Sequence, residues 1–250
     1  MSRFALPLTS VISMVLIAAS SSSAATGTGA TLDPTAKDRM ARAETLRQNK
    51  SAILATETQW KTLQAAYFSK RAAYRISCRT ELRQANRDTK LPTLLRCVRG
   101  ELSQEREFLR KQKDEVAKLT DASVPARNAA TAQFDLLLDA LNTVITGIDS
   151  NVYEQTEDIA GTRTKLQQKY RAPFSNALTA FRADRLLSWV ALLLSDLPEN
   201  APAAACLRMQ ETSLRVFATG RGSGTLLPSI QNINGCLSQP LTSGNGSTAT

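Results

Sequence analysis

Histidine is absent from all 250 residues. That removes His-dependent catalytic triads, His-ligated metals and the commonest general acid–base group together. The four cysteines lie 19, 109 and 30 positions apart, so no Cys-x-x-Cys pair serves redox or zinc chemistry. Aromatic residues make up 5% of the chain and β-branched runs are scarce, which argues against a sheet. Long hydrophobic runs are missing too. The longest near the N-terminus, residues 4–18, is broken by Pro7, Thr9, Ser10 and Ser13 and is too short and too polar for a permanent membrane span.

Alanine, leucine, glutamine, lysine and arginine dominate the middle of the chain, a composition that favours helix. The expected fold is all-α: a long antiparallel, coiled-coil-like helical hairpin packed in an elongated bundle, with a small disulfide-tied helical segment at the C-terminus. Arg3, the apolar run and the small residues up to Ala25 read as a secretory signal over 1–25, with no transmembrane anchor left in the mature chain. Residues 26–33 read as a disordered linker, 34–122 as the basic hairpin and 123–198 as core helices of the same bundle. Residues 199–237 then form the C-terminal cap, and 238–250 a disordered tail.

The first helix is expected from a cap at Asp33 or Thr35 to about Ala85, with Leu46, Ile53, Trp60, Tyr67 and Tyr74 repeating every seven residues as a seam. A turn over 86–90 then leads into a second helix capped by Asp88 or Thr89, with Pro92 in its first turn. Its seam runs through Leu91, Leu95, Val98, Leu102, Leu109, Val116 and Leu119, with Glu105 and Gln112 in the gaps. Cys78 and Cys97 are equidistant from the middle of the turn, so the pattern predicts one disulfide between them and a second between Cys206 and Cys236. A third helix is expected from a Ser123 cap to Tyr170 or Arg171, ending before Pro173. A fourth follows to Leu197. Within it residues 186–194 are apolar almost all round, which reads as a buried core helix, with a dimer interface or membrane-surface helix as alternatives. A fifth helix, 203–218, carries Cys206.

Charge is the most unusual feature. Residues 37–118 hold 20 basic and 10 acidic side chains, whereas the rest of the chain holds 11 and 12; one segment carries the whole imbalance. Within it Arg71, Arg75, Arg79, Arg83 and Arg87 stand four apart. On a helix such a ladder drifts about 40° per arginine, so its first members flank the buried stripe and its last ones face solvent. Arg71 is expected opposite Glu101 and Glu105, Arg79 opposite Arg96, and Arg83 beside the turn. Between Arg75 and Arg99 seven basic residues face only Glu81 and Asp88. Arg79, Arg83, Arg87, Lys90, Arg96 and Arg99 are therefore the candidate anion-binding surface, against the plain alternative of a solvated charged face.

Other motifs carry less. The glycine-rich stretch 220–224 follows a helix and lacks the lysine of a phosphate-binding loop, so it reads as a linker. Glu154, Glu157 and Asp158 share a helix face as carboxylate sites do, but a solvated face explains them. Asn49 with Ser51 and Asn245 with Ser247 match a glycosylation pattern. The interleaving of Trp60, Tyr67 and Tyr74 with arginine could stack nucleic-acid bases, but seven-residue spacing points to packing. No catalytic residue, metal site or cofactor is expected. The function expected is that of an exported, periplasmic or extracellular, non-enzymatic interaction or structural protein. Its basic tip would contact an anionic envelope component or a protein partner, with homo-oligomer formation open and no specific nucleic acid. A holdase-type chaperone with a cationic cleft is the runner-up, and a carboxylate-dependent enzyme the third reading.

Overall fold

The computed structural model describes residues 34–222 and 226–238, with side chains from residue 58 onward. The expected signal peptide, the 26–33 linker, the Asp33 cap, residues 239–250 of the expected tail, Gly224 and the Asn245 glycosylation pattern lie outside what is described, as do the side chains of Leu46, Asn49, Ser51 and Ile53, whose backbone is part of the first helix. The regular structure among the described residues is entirely helical, with no strand: α1 Pro34–Gln84, α2 Arg87–Lys118, α3 Val124–Asp149, α4 Thr156–Leu166, α5 Ala172–Asp196, α6 Pro202–Ala218 and α7 Leu227–Cys236. The chain divides after Met40 into two units. Of the first, only the helical residues 34–40 are described; the second contains everything that follows.

The link between α1 and α2 is tighter than expected. It spans Ala85 and Asn86, and Asn86 is the cap: its side-chain oxygen accepts from the N–H groups of Asp88 at 3.1 Å and Thr89 at 2.9 Å. The Thr89 hydroxyl accepts in return from the Asn86 N–H at 3.1 Å. This reciprocal box satisfies three donors at once, and a cap of this kind is worth about 1 kcal/mol. Pro92 consequently falls inside α2 instead of in its first turn.

Beyond the turn, contacts descend α2 as they ascend α1. Cys78 is bonded to Cys97, with the Cα atoms 5.7 Å apart; Tyr67 stacks on Phe108 at 4.2 Å; Gln59 donates to Glu115. The tip of the Tyr74 ring abuts Gly100, where a Cβ would fall 1.9 Å from its hydroxyl, and that hydroxyl donates to the Arg96 carbonyl at 3.2 Å. Only glycine permits this approach.

The expected third helix is two helices. α3 starts at the Ser123 cap, as the sequence indicates, but stops at Asp149. Asn151 adopts a left-handed φ of 56°. The Val152 N–H bonds back to the Gly147 carbonyl and the Asn151 N–H to that of Ile148, the pairing that closes a helix through a left-handed residue. The predicted stop at Pro173 fails in the opposite sense. Residues 167–171 widen into a π turn, in which the Ala172 N–H reaches the Gln167 carbonyl, and the helix continues into α5. Proline has no N–H to give and its ring crowds the carbonyl four residues back, so the wider turn accommodates it.

Two apolar cores result. α3 packs against α2 and α5 and supplies Phe134, Leu137, Leu138, Leu141, Val144, Ile145 and Ile148 to the first; α2 adds Val98, Leu102, Leu109 and Val116, and α4 adds Ile159 and Leu166. Fully burying each large side chain is worth about 1.5–3 kcal/mol. α6 packs against α5 and α7 around the second core, which includes Trp189, Val190, Leu193, Leu207, Leu214 and Ile233. Cys206 is bonded to Cys236 there. The 186–194 stretch is not buried on all sides: Val190 is fully buried, but Leu192 is 41% exposed. Among the described residues no helix is long and apolar enough to cross a membrane.

Candidate anion-binding groove

The ladder divides by position, as its drift around the helix requires. Arg71, nearest the buried stripe, packs over the Tyr67 ring at 5.7 Å and donates from Nε and Nη2 to Glu101 Oε1 at 2.9 and 2.6 Å. Arg75 donates to the same oxygen, from Nε at 2.9 Å and also from Nη2. Arg163, on α4, takes the other oxygen at 3.1 Å. Glu101 thus lies buried on α2 with three guanidiniums converging on it. Burial alone would raise its carboxyl pKa, but hydrogen bonds from Arg71 and Arg75 prevail and hold it below the usual carboxylate range.

Glu105 belongs elsewhere than the register suggests. It is also buried, but its two oxygens are held by Arg171 at 2.8 and 2.6 Å, and Arg71 makes its hydrogen bonds to Glu101 alone. The Tyr67 hydroxyl is buried with no hydrogen-bond partner among the described residues. Burial first, with Glu105 adding to it, pushes its pKa up to about 12, so the phenol stays protonated.

The six candidate residues fall into two groups. Arg96 and Arg99 are matched, contrary to expectation: Arg96 turns to Glu81 at 2.5 Å, and Arg99 makes a fork to Asp149 of α3 at 2.5 and 3.1 Å. Asp149 lies outside α1 and α2, so their register alone does not show this pair. The hydrogen bond from Arg99 holds Asp149 below the usual aspartate range. Arg79, Arg83, Arg87 and Lys90 are exposed, and none has a carboxylate within ion-pairing distance among the described residues.

An open groove of about 410 Å³ runs between α1, α2 and α4. Arg75, Arg79 and Arg83 form one wall and Arg163 the other; Leu82, Leu94, Val98 and the Cys78–Cys97 disulfide form the floor. Among the described residues Glu101 is the single acidic one lining it. Nothing in the sequence pattern marks Arg163, because its place depends on the α3–α4 break that lets α4 fold back on α2.

The carboxylates of α4 serve its start. Asp158 Oδ2 accepts from the N–H groups of Glu154 at 3.2 Å and Gln155 at 3.1 Å, and Glu157 accepts from the Thr156 hydroxyl at 3.0 Å. Among the described residues no group of three or more potential ligands is placed to hold a metal ion. The chain matches no family model, no curated protein and no solved structure.

Proposed function

We propose that this chain is an exported, non-enzymatic helical protein that binds an anionic envelope component through the basic end of α1 and α2. The observation that carries this reading is the set Arg79, Arg83, Arg87 and Lys90: four exposed cations with no carboxylate within ion-pairing distance among the described residues, two of them lining a groove that Arg75 and Arg163 also wall. Like charges four residues apart on a helix repel, and an external anion would relieve that repulsion. Two disulfides support export, because such bonds persist in oxidising compartments.

The test is binding to anionic vesicles or a soluble polyanion across a salt series. Wild-type binding should weaken steeply with salt, since each neutralised anionic group releases counterions. The Arg79→Gln/Arg83→Gln/Arg87→Gln variant should bind more weakly and with a shallower slope, by about one for each arginine that pairs with the polyanion. Its stability should stay level or rise slightly as repulsion is relieved. Equal binding of variant and wild type at low salt would reduce the tip to a solvated face.

A further inference from the structure

We propose that the groove between α1, α2 and α4 is a specific site for a phosphate monoester; this rests on the anion-binding role above but places the ligand within the groove instead of across the tip. The charge balance points to that group. Four guanidiniums line the groove against the one carboxylate of Glu101. A phosphate monoester carries about −1.5 to −2 charges at neutral pH and three acceptor oxygens, whereas a carboxylate offers one charge and two oxygens and leaves the site further from neutrality.

The geometry is suited to the same group. Arg79 and Arg83 stand one turn apart on one wall, a rise of about 6 Å, with no carboxylate partner among the described residues. Arg163 faces them from α4. Glu101 fixes Arg75 and Arg163 by hydrogen bonds, so part of the ordering cost is met before any ligand arrives. Guanidinium forks match phosphate oxygens two at a time, which an ammonium group does not.

Beneath the cations, Leu82, Leu94, Val98 and the disulfide keep water off one side, and electrostatic attraction is stronger over such a surface. The groove, at about 410 Å³, is in the size range of small-molecule sites and exceeds a bare phosphate ion. The remaining space lies over apolar side chains, so the ester should carry an apolar organic group. A soluble phosphate ester and a phosphatidic acid headgroup share this chemistry.

Calorimetric titration of the full chain with phenyl phosphate, inorganic phosphate and benzoate tests the assignment. Phenyl phosphate should bind at least tenfold tighter than benzoate at equal salt, and tighter than inorganic phosphate. Loss of charge-assisted hydrogen bonds should weaken it about tenfold or more in Arg79→Gln/Arg83→Gln and again in Arg163→Gln. Arg87→Gln/Lys90→Gln, outside the groove, should change it less than twofold. If helical circular dichroism shows that Arg163→Gln disturbs the fold, the Arg79/Arg83 pair decides alone, since neither holds a carboxylate in the described fold.

Vesicles containing phosphatidic acid or phosphatidylglycerol at equal surface charge separate the sources. Retention on the former that phenyl phosphate competes away assigns a lipid headgroup; binding of the soluble ester without vesicle retention assigns a free one. Polyanion binding that persists with no preference for phenyl phosphate, or with equal sensitivity at Arg87 and Lys90, overturns the groove site and leaves the tip reading standing. Absence of all anion binding overturns both.

Discussion

Replacing Glu101 with glutamine removes the one negative charge on which Arg71, Arg75 and Arg163 converge, while keeping the shape of the side chain. The three arginines do not suffer equally. Arg75 and Arg163 are 50% and 46% exposed, so water takes over their solvation and each loss is worth about 0–1 kcal/mol. Arg71 is only 21% exposed and lies against the Tyr67 ring. Stranding a fully buried charge costs about 3–5 kcal/mol, and the residual exposure of Arg71 places its share toward or below the lower end. The whole substitution should therefore cost about 3 kcal/mol, a fall in Tm of about 6–12 °C for a chain of this size.

The pH dependence identifies the charge as the cause. The folded-state pKa of Glu101 is depressed, so the unfolded chain binds the proton first. Its stabilisation is fully present above the unfolded value of about 4.3 and is lost as pH falls through the depressed folded value. Protonated glutamate and glutamine are both neutral, so wild type and Glu101→Gln should differ at pH 7 and converge in acid. Urea unfolding followed by circular dichroism from pH 7 to pH 3, compared at a common m value, measures this. A gap that persists undiminished well below pH 4, or no gap at pH 7, would refute the account of Glu101 as an ionised hub.

Two further substitutions test the architecture around the groove. Gly100→Ala forces Tyr74 away from α2 and should destabilise by about 1–2 kcal/mol; in a Tyr74→Ala background the clash is gone, and the same change should stabilise by about 0.5–1 kcal/mol through helix propensity, a reversal of sign read directly from paired thermal melts. Peptide mapping without reductant should recover Cys78 joined to Cys97 and Cys206 joined to Cys236, and serine replacement of each pair should cost about 3 and 4 kcal/mol respectively from the loops they close; identical melts with and without reductant would contradict both bonds.

The all-helical class, the Cys78–Cys97 pairing and the Ser123 cap are legible because each rests on local signals: composition, cysteine placement about a turn, and a polar residue before an apolar run. The boundaries that differ from expectation have physical causes. Asn151 closes α3 through a left-handed backbone, a state asparagine tolerates but does not announce, and apolar spacing runs on through Val152 and Ile159 as though the helix continued. Pro173 is a strong stop signal that a single π turn defeats. Arg79, Arg83, Arg87 and Lys90 are readable as unmatched cations because one helix and its turn set their environment. Arg99 is not, since its carboxylate comes from α3, and neither is Arg163, whose place depends on the fold-back of α4.

The π turn in the middle of the chain bears on the groove. Arg163 and Arg171 are eight residues apart; along a regular α-helix they would point about 80° away from each other. The π turn lies between them and takes up roughly one extra residue, or about 100° of rotation. That brings both guanidiniums to the same side of the helix, where Glu101 and Glu105 stand four residues apart on α2. Arg171 closes on Glu105 as a fork, and Arg163 takes the Glu101 oxygen that Arg75 leaves free. Pro173 therefore does more than disturb a helix. By favouring the wider turn it aligns two arginines on two buried carboxylates, and one of those arginines supplies the second wall of the groove. The cationic character of the site thus depends on a backbone irregularity that begins four residues beyond Arg163, at Gln167, not only on the arginine ladder that dominates the sequence.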